Sequence, residues 1–85
     1  MYYFVYLIEN ENRNRYIGFT SNIKQRISDH NSGKGTQTTK RSQKWKLIYF
    51  EGYLDKRDAL GREVFLKSGA GDRFLKKQLR NFLAL

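Results

Sequence analysis

Cysteine and proline are absent from this chain, and histidine, tryptophan and methionine occur once each. Without cysteine there is no disulfide framework and no thiolate metal site. A single histidine beside no cysteine also excludes a structural zinc site of the usual kind. No apolar run approaches the roughly 20 residues that cross a bilayer. The N-terminus lacks the basic start, apolar stretch and small-residue cleavage site of a secretory signal. Phosphate loops of the G-x-x-x-x-G-K-[ST] type are missing too, since "NSGKGT" and "SGAGD" fit neither its spacing nor its strand context. There is no G-x-S-x-G elbow for a hydrolase triad. What remains is the expectation of one small domain over residues 1–85, with a limited core, in the cytoplasm.

Acid is also scarce. Eight Asp and Glu face 17 Lys and Arg, for a net charge of +9. Such an excess favours a polyanionic partner, nucleic acid ahead of a membrane surface. The charge is clustered as well: "KGTQTTKRSQKWK" (34–46) holds five Lys or Arg and no acid. Lys34, Lys40, Arg41, Lys44 and Lys46 are therefore the expected phosphate contacts, with a solvated linker as the plainer reading. Arg62, Lys67, Arg73, Lys76, Lys77 and Arg80 add charge in the last third.

The aromatic and β-branched run "YYFVYLIEN" (2–10) reads as a strand. After the turn-like "ENRN", the stretch "RYIGFT" (15–20) reads as the second arm of a hairpin. Gly18 in it suits a close approach or a special backbone angle, and the backbone turn is the expected reason for it. Thr20 or Ser21 is the expected N-cap of a helix running to His30 or Asn31, with Gly33 at its C-terminal end. "WKLIYFEGY" (45–53) is a third strand, with Trp45 and its tyrosines expected in the core. Asp55 caps a second helix over 56–68, on which Leu60 and Val64 share a face. "GAG" (69–71) interrupts the chain, and Asp72 caps a last helix carrying Leu75, Leu79, Phe82 and Leu83. The fold class is α+β: a three-stranded, mostly antiparallel sheet with helices packed around it, in the order β-β-α-β-α-α.

One constellation has chemical content. Arg26 and His30 are four apart on the first helix and share a face, beside the apolar pair Ile23 and Ile27. In a tight hairpin, Tyr6 and Tyr16 emerge on one side of the sheet. Two phenols, a guanidinium and an imidazole then converge. Glu63 shares a face with Ala59, which favours an inward position over simple pairing with Arg57, Arg62 or Lys67.

"FVY" (4–6), "YIG" (16–18), Arg26, His30 and a helical Glu63 together resemble the GIY-YIG nuclease family. Phe4 and Val5 stand where the first motif has Gly and Ile, Tyr6 keeps its tyrosine, and the second motif is intact. The likeness spans roughly residues 2 to 68. "FVYLIEN", "RYIGFTSNIKQRISDHNSGKG" and "REVFLKS" are most similar to the small stand-alone bacterial members. The resemblance implies metal-dependent hydrolysis of DNA phosphodiester bonds, of the kind used in DNA repair or recombination. In a chain of 85 residues a separate recognition domain is not expected, so specificity is expected to be low, structure-based or supplied by a protein partner. It implies a divalent metal, Mg²⁺ or Mn²⁺, on Glu63, and a phosphate-stabilising role for Arg26. It implies that Tyr16 is a general base or a positioner of the attacking water, with Tyr6 as the second active-site tyrosine and His30 as a histidine found in part of the family. Some members carry a lysine directly after the second motif, where this chain has Phe19. The alternatives are a nucleic-acid-binding module with weak or no catalysis, and a subunit whose basic surface docks an acidic protein.

Overall fold

The computed structural model describes residues 1–33 and 44–84. Its elements are β1 (Tyr3–Glu9), β2 (Arg15–Thr20), α1 (Ile23–Asn31), β3 (Lys46–Tyr53), α2 (Lys56–Leu66), α3 (Gly69–Gln78) and a short α4 (Arg80–Leu83). The strands form one antiparallel sheet in the order β2-β1-β3. The α+β class and the order of elements are as expected, except that the last helix divides at Leu79, where φ is −107° and ψ is 23°. Among the described residues no helix is long and apolar enough to cross a membrane.

β1 is the centre of the molecule. Both its neighbours are strands and both its faces are covered, so Val5 to Asn10 are buried without a break. Burial on two faces erases the apolar-polar alternation of a half-exposed strand. Val5 and Leu7 meet Ala59, Leu66 and Leu75 of α2 and α3. Tyr6 and Ile8 face the other way, toward Trp45 and, partly buried, Tyr16, Ile27 and Leu47. Full burial of side chains such as Val5 and Ile8 contributes about 1.5–3 kcal/mol each. A register shift lies between Leu7 and Ile8 of β1: Leu7 pairs with Tyr49 but Ile8 with Leu47. Ile48 is the extra residue of this bulge, and it places Leu47 and Tyr49 on opposite faces of the sheet.

The hairpin joining β1 to β2 is held by Asn10. Its side-chain oxygen accepts from the backbone N–H groups of Asn12 and Asn14, both at 2.9 Å. Arg13 takes the left-handed conformation at φ 63° to close the loop.

Local chemistry moves two helix starts away from the expected caps. β2 runs through Thr20, so the cap of α1 falls on Asn22, whose side chain accepts from Gln25 N–H at 3.1 Å. Thr20 instead braces the turn, accepting from Asn22 N–H at 3.0 Å. Ser68, not Asp72, caps α3 by accepting from Gly71 N–H at 3.1 Å. The glycines 69 and 71 are therefore the first turn of α3 rather than a break. Gly71 is required by packing: a Cβ there would strike the Phe65 carbonyl oxygen and lie 2.7 Å from the Leu66 carbonyl carbon. Asp55 caps α2 as expected.

α2 presents a different face to the sheet from the one its branched residues suggest. Leu60 and Val64 are exposed, at 39 and 72 %. Ala59 and Leu66 are buried instead, with the small side chain of Ala59 permitting close approach to the sheet.

Candidate active site

The hairpin register places the two tyrosines together. Ile8 pairs with Tyr16 and Tyr6 with Gly18, so Tyr6, Ile8, Tyr16 and Gly18 share one face. Gly18 lies under the Tyr6 ring, and a Cβ there would collide with the Tyr6 hydroxyl and stand 2.7 Å from a ring carbon. It is a residue of the extended strand, so close approach by Tyr6, and not a backbone turn, is what requires glycine.

α1 supplies the next two groups. His30 lies in its last turn, fully buried, and its Nε2 is 2.8 Å from the Tyr6 hydroxyl. The Tyr16 ring stands 5.3 Å from the imidazole and 6.5 Å from the Tyr6 ring. Arg26, one turn before His30, stands near enough to the Tyr6 phenol for its positive charge to favour the ionised form. The Tyr6 hydroxyl and His30 Nε2 share one hydrogen bond, whose donor is set by the imidazole tautomer.

Burial pushes the Tyr6 phenol up to about 12; Arg26 opposes the rise, while Tyr16 and Glu63 add to it. Burial first, and then the Arg26 charge, draw His30 below its ordinary value of 6.5, against the pull of Asp29. At neutral pH this pair is a protonated phenol and an uncharged imidazole.

Glu63 reaches the cluster from α2, which packs on β1 and on the edge strand β2. Its charge is near enough to act on Tyr6. Its side chain is 19 % exposed, and Oε2 is 3.1 Å from Lys67 Nζ. Pairing along its own helix and proximity to the phenol thus both occur. Tyr16 and Lys67 also line a cleft beside β2 with Arg15, Lys76 and apolar residues of α2 and α3, a cleft that Tyr6, Arg26, His30 and Glu63 do not line. Among the described residues no three His, Cys, Asp or Glu side chains gather around a point. The donor set is one partly exposed carboxylate. That does not fit a fully protein-chelated ion, but it fits a hard cation that keeps most of its waters.

The remaining expected contacts are divided. Lys34, Lys40 and Arg41 lie outside the described residues. Lys44 and Lys46 are exposed at the hairpin end of the sheet, where they line a depression with Glu9, Asn10 and Arg13. Lys46 also stands 5.6 Å over the Phe82 ring. Phe19 points away from the site, stacked on Tyr3 at 6.1 Å among the residues that pack against α2 and α3.

One polar cluster escaped the sequence reading. Glu51 of β3 accepts from Tyr49 and Tyr53 at 2.5 and 2.6 Å, and from Arg62 at 2.8 and 3.1 Å. Burial pushes its carboxyl up, but these donors outweigh burial and hold it below the ordinary range. The spacing Tyr-x-Glu-x-Tyr on one strand was the available signal.

A family model described as "GIY-YIG catalytic domain" matches residues 2–77. The chain is 38 % identical over 64 residues to a UPF0213 protein of Streptococcus pneumoniae serotype 4, a match covering 75 % of this chain and 65 % of that one. It is 34 % identical over 74 residues to a UPF0213 protein of Staphylococcus haemolyticus, covering 87 % of this chain and 90 % of the relative. The fold is similar to the solution NMR structure of a UPF0213 protein from Bacillus halodurans, at a TM-score of 0.56 and 28 % identity. That likeness covers 92 % of this chain and 85 % of the other.

Proposed function

The chain belongs to the GIY-YIG family, a family of nucleases, and we propose that it is an endonuclease hydrolysing DNA phosphodiester bonds with low sequence specificity. The observation that carries this reading is the convergence of Tyr6, Tyr16, Arg26 and His30 within reach of the Glu63 charge.

Hydrolysis requires a placed water, neutralisation of charge building on the phosphate, and help for the leaving oxygen. Arg26 makes no ion pair among the described residues, which leaves its guanidinium free to fork onto two phosphate oxygens. Tyr6, with its phenol near 12, keeps its proton at neutral pH. It is a positioning residue: it stands beside the guanidinium and is itself fixed by His30. Tyr16 is the less buried phenol and borders the cleft, so it is the one to meet and orient the attacking water. Glu63 would hold a hydrated divalent metal, Mg²⁺ or Mn²⁺, which when bound would supply charge neutralisation. Lys44 and Lys46, with Lys34, Lys40 and Arg41 of the same basic segment, hold the flanking phosphates without reading sequence.

Supercoiled plasmid incubated with the protein and Mg²⁺ tests this directly. Nicked circles are expected, and both Arg26→Ala and Glu63→Ala are expected to abolish them while keeping most DNA binding. Undiminished nicking by either variant overturns the assignment. Binding that persists in the wild type without any nicking selects the runner-up, a nucleic-acid-binding module. The observation favouring that runner-up is Phe19, which packs into the opposite layer where some members carry lysine.

A further inference from the structure

The sheet face that carries the two tyrosines also carries an aromatic surface that cleavage does not use. Tyr2 and Phe4 continue the alternation of Tyr6 toward the start of β1, and Phe50 stands opposite Tyr6 on β3. The Tyr2 and Phe4 rings are 6.2 Å apart, and the Phe4 and Phe50 rings meet edge to face at 5.9 Å. Tyr2 and Phe50 are each 52 % exposed. Phe4 and Phe50, with Ile23, Ile27 and Leu47, line a groove that the exposed Lys24 borders.

We propose that this groove stacks an unpaired nucleobase next to the phosphate held by Arg26, so that the substrate is single-stranded or locally distorted DNA. The proposal rests on the nuclease reading and names its substrate class. Adjacency is the first argument. Phe50 is one cross-strand step from Tyr6, about 5 Å, and Phe4 is two residues along the strand, about 7 Å. A nucleotide neighbouring the bound phosphate falls within that range. Chemistry is the second: every base offers a π-face to an exposed aromatic ring, whatever its sequence. A base inside a duplex is stacked on both sides and has no free face to present. Charge is the third argument. Lys24 at the groove and a net charge of +9 attract a polyanionic strand and oppose docking of a second copy of the same basic chain.

The test uses the full chain without added divalent metal and three labelled probes of equal length: oligo-dT, a perfect duplex, and a duplex with one bulged 2-aminopurine. Oligo-dT and the bulged duplex are expected to bind about tenfold tighter than the perfect duplex, with 2-aminopurine fluorescence quenched by stacking. Phe50→Leu keeps the groove apolar but removes the ring, and is expected to lose the quench and most of the tenfold preference while binding the perfect duplex as before. Equal affinity of the wild type for all three probes overturns stacking and leaves the nuclease reading standing. Failure to bind any of them removes both. Self-association in sedimentation that Phe50→Ser abolishes and Phe50→Leu retains assigns the groove to a second copy and overturns the proposal.

Discussion

On one side of the sheet, Tyr49, Tyr53, Arg62 and Glu51 close on each other. The two phenols and the guanidinium fork donate to a single carboxylate, and charge cancels within the group. Toward the other face, Tyr6, Tyr16 and Arg26, with Glu63 approaching from α2, offer the same four residue types and do not close. Tyr6 is engaged with His30, Glu63 with Lys67, and Arg26 has no acid partner among the described residues. The saturated cluster is a brace, ordering β3 against α2 with nothing left to offer a ligand. The unsaturated one keeps positive charge in hand, which is what a phosphate needs. α2 links the two, because Arg62 and Glu63 are successive residues that point about 100° apart. The Arg62 guanidinium lies against the Phe65 and Phe74 rings, 4.9 and 4.5 Å from their centroids. It fixes the rotation of the helix and so the direction of Glu63.

The two arginines should therefore separate cleanly. Removing Arg26 as Arg26→Ala is expected to lower plasmid nicking about 10²–10³-fold, the range for losing one transition-state donor, with little change in thermal unfolding. Removing Arg62 as Arg62→Ala leaves the Glu51 carboxylate short of two donors in a mostly buried setting. Stability should fall by about 2 kcal/mol, or roughly 10 °C in Tm for a domain of this size. Nicking measured well below the new Tm should then remain within a few-fold. If Arg26→Ala unfolds the protein and Arg62→Ala does not, the roles are reversed.

Gly18 tests the contact under Tyr6. In Gly18→Ala the new methyl meets the phenol of a ring that is only 1 % exposed, so the ring must shift. A stability loss of about 1–3 kcal/mol is expected, as in overpacked cores, together with a loss of nicking as Tyr6 leaves Arg26. Normal activity with normal Tm would show that the ring moves at no cost and that its position is irrelevant.

The tyrosine cluster was legible because it depends on regular geometry. Strand alternation and the i, i+4 helix repeat place Tyr6, Tyr16, Arg26 and His30 without knowledge of any distant contact. The family pattern then pointed to Glu63, whose approach from α2 no local rule supplies. Cap positions failed where tertiary context decided between neighbours: β2 extends to Thr20 and displaces the cap to Asn22. Gly69 and Gly71 were read as breakers because a helix crossing at Gly71 is visible only once α2 is in place. The Glu51 brace was missed for a related reason. Its arginine comes from the following helix, and the bulge at Ile48 that turns Tyr49 toward the brace has no sequence signature of its own.

The clusters should also differ in how pH unfolds them. His30 titrates lower in the fold than in the open chain, so the unfolded state takes up a proton near pH 6.5 that the folded state resists. Stability is then lost as pH falls below that value. The Glu51 carboxyl, also lowered, adds its loss only below about 4.5. Tyr6, Tyr49 and Tyr53 are raised from 10.0 to about 12, so the unfolded chain releases protons first and stability declines again above pH 10. A Tm-against-pH curve should be flat between about 6.5 and 10. In His30→Gln the limb between pH 7 and 5 should flatten relative to the wild type, whatever the variant's absolute Tm. An unchanged limb would assign it to another group.

Lys67 is the finest probe of the contrast, because its ion pair stands where Glu51 has its closed network. The Lys67–Glu63 pair is an i,i+4 pair on a helix surface, with the lysine side chain 52 % exposed. Such pairs contribute about 0.5 kcal/mol or less, so Lys67→Ala should leave Tm nearly unchanged. The carboxylate it releases is the one proposed to bind the metal. An ammonium 3.1 Å from Oε2 competes with a divalent cation for the same negative charge. Half-maximal nicking should therefore need less Mg²⁺ in Lys67→Ala than in the wild type, and the gap should narrow at high salt as the ammonium is screened. If the variant instead needs more Mg²⁺, Lys67 is holding the phosphate or orienting Glu63, and the pair belongs with the braces.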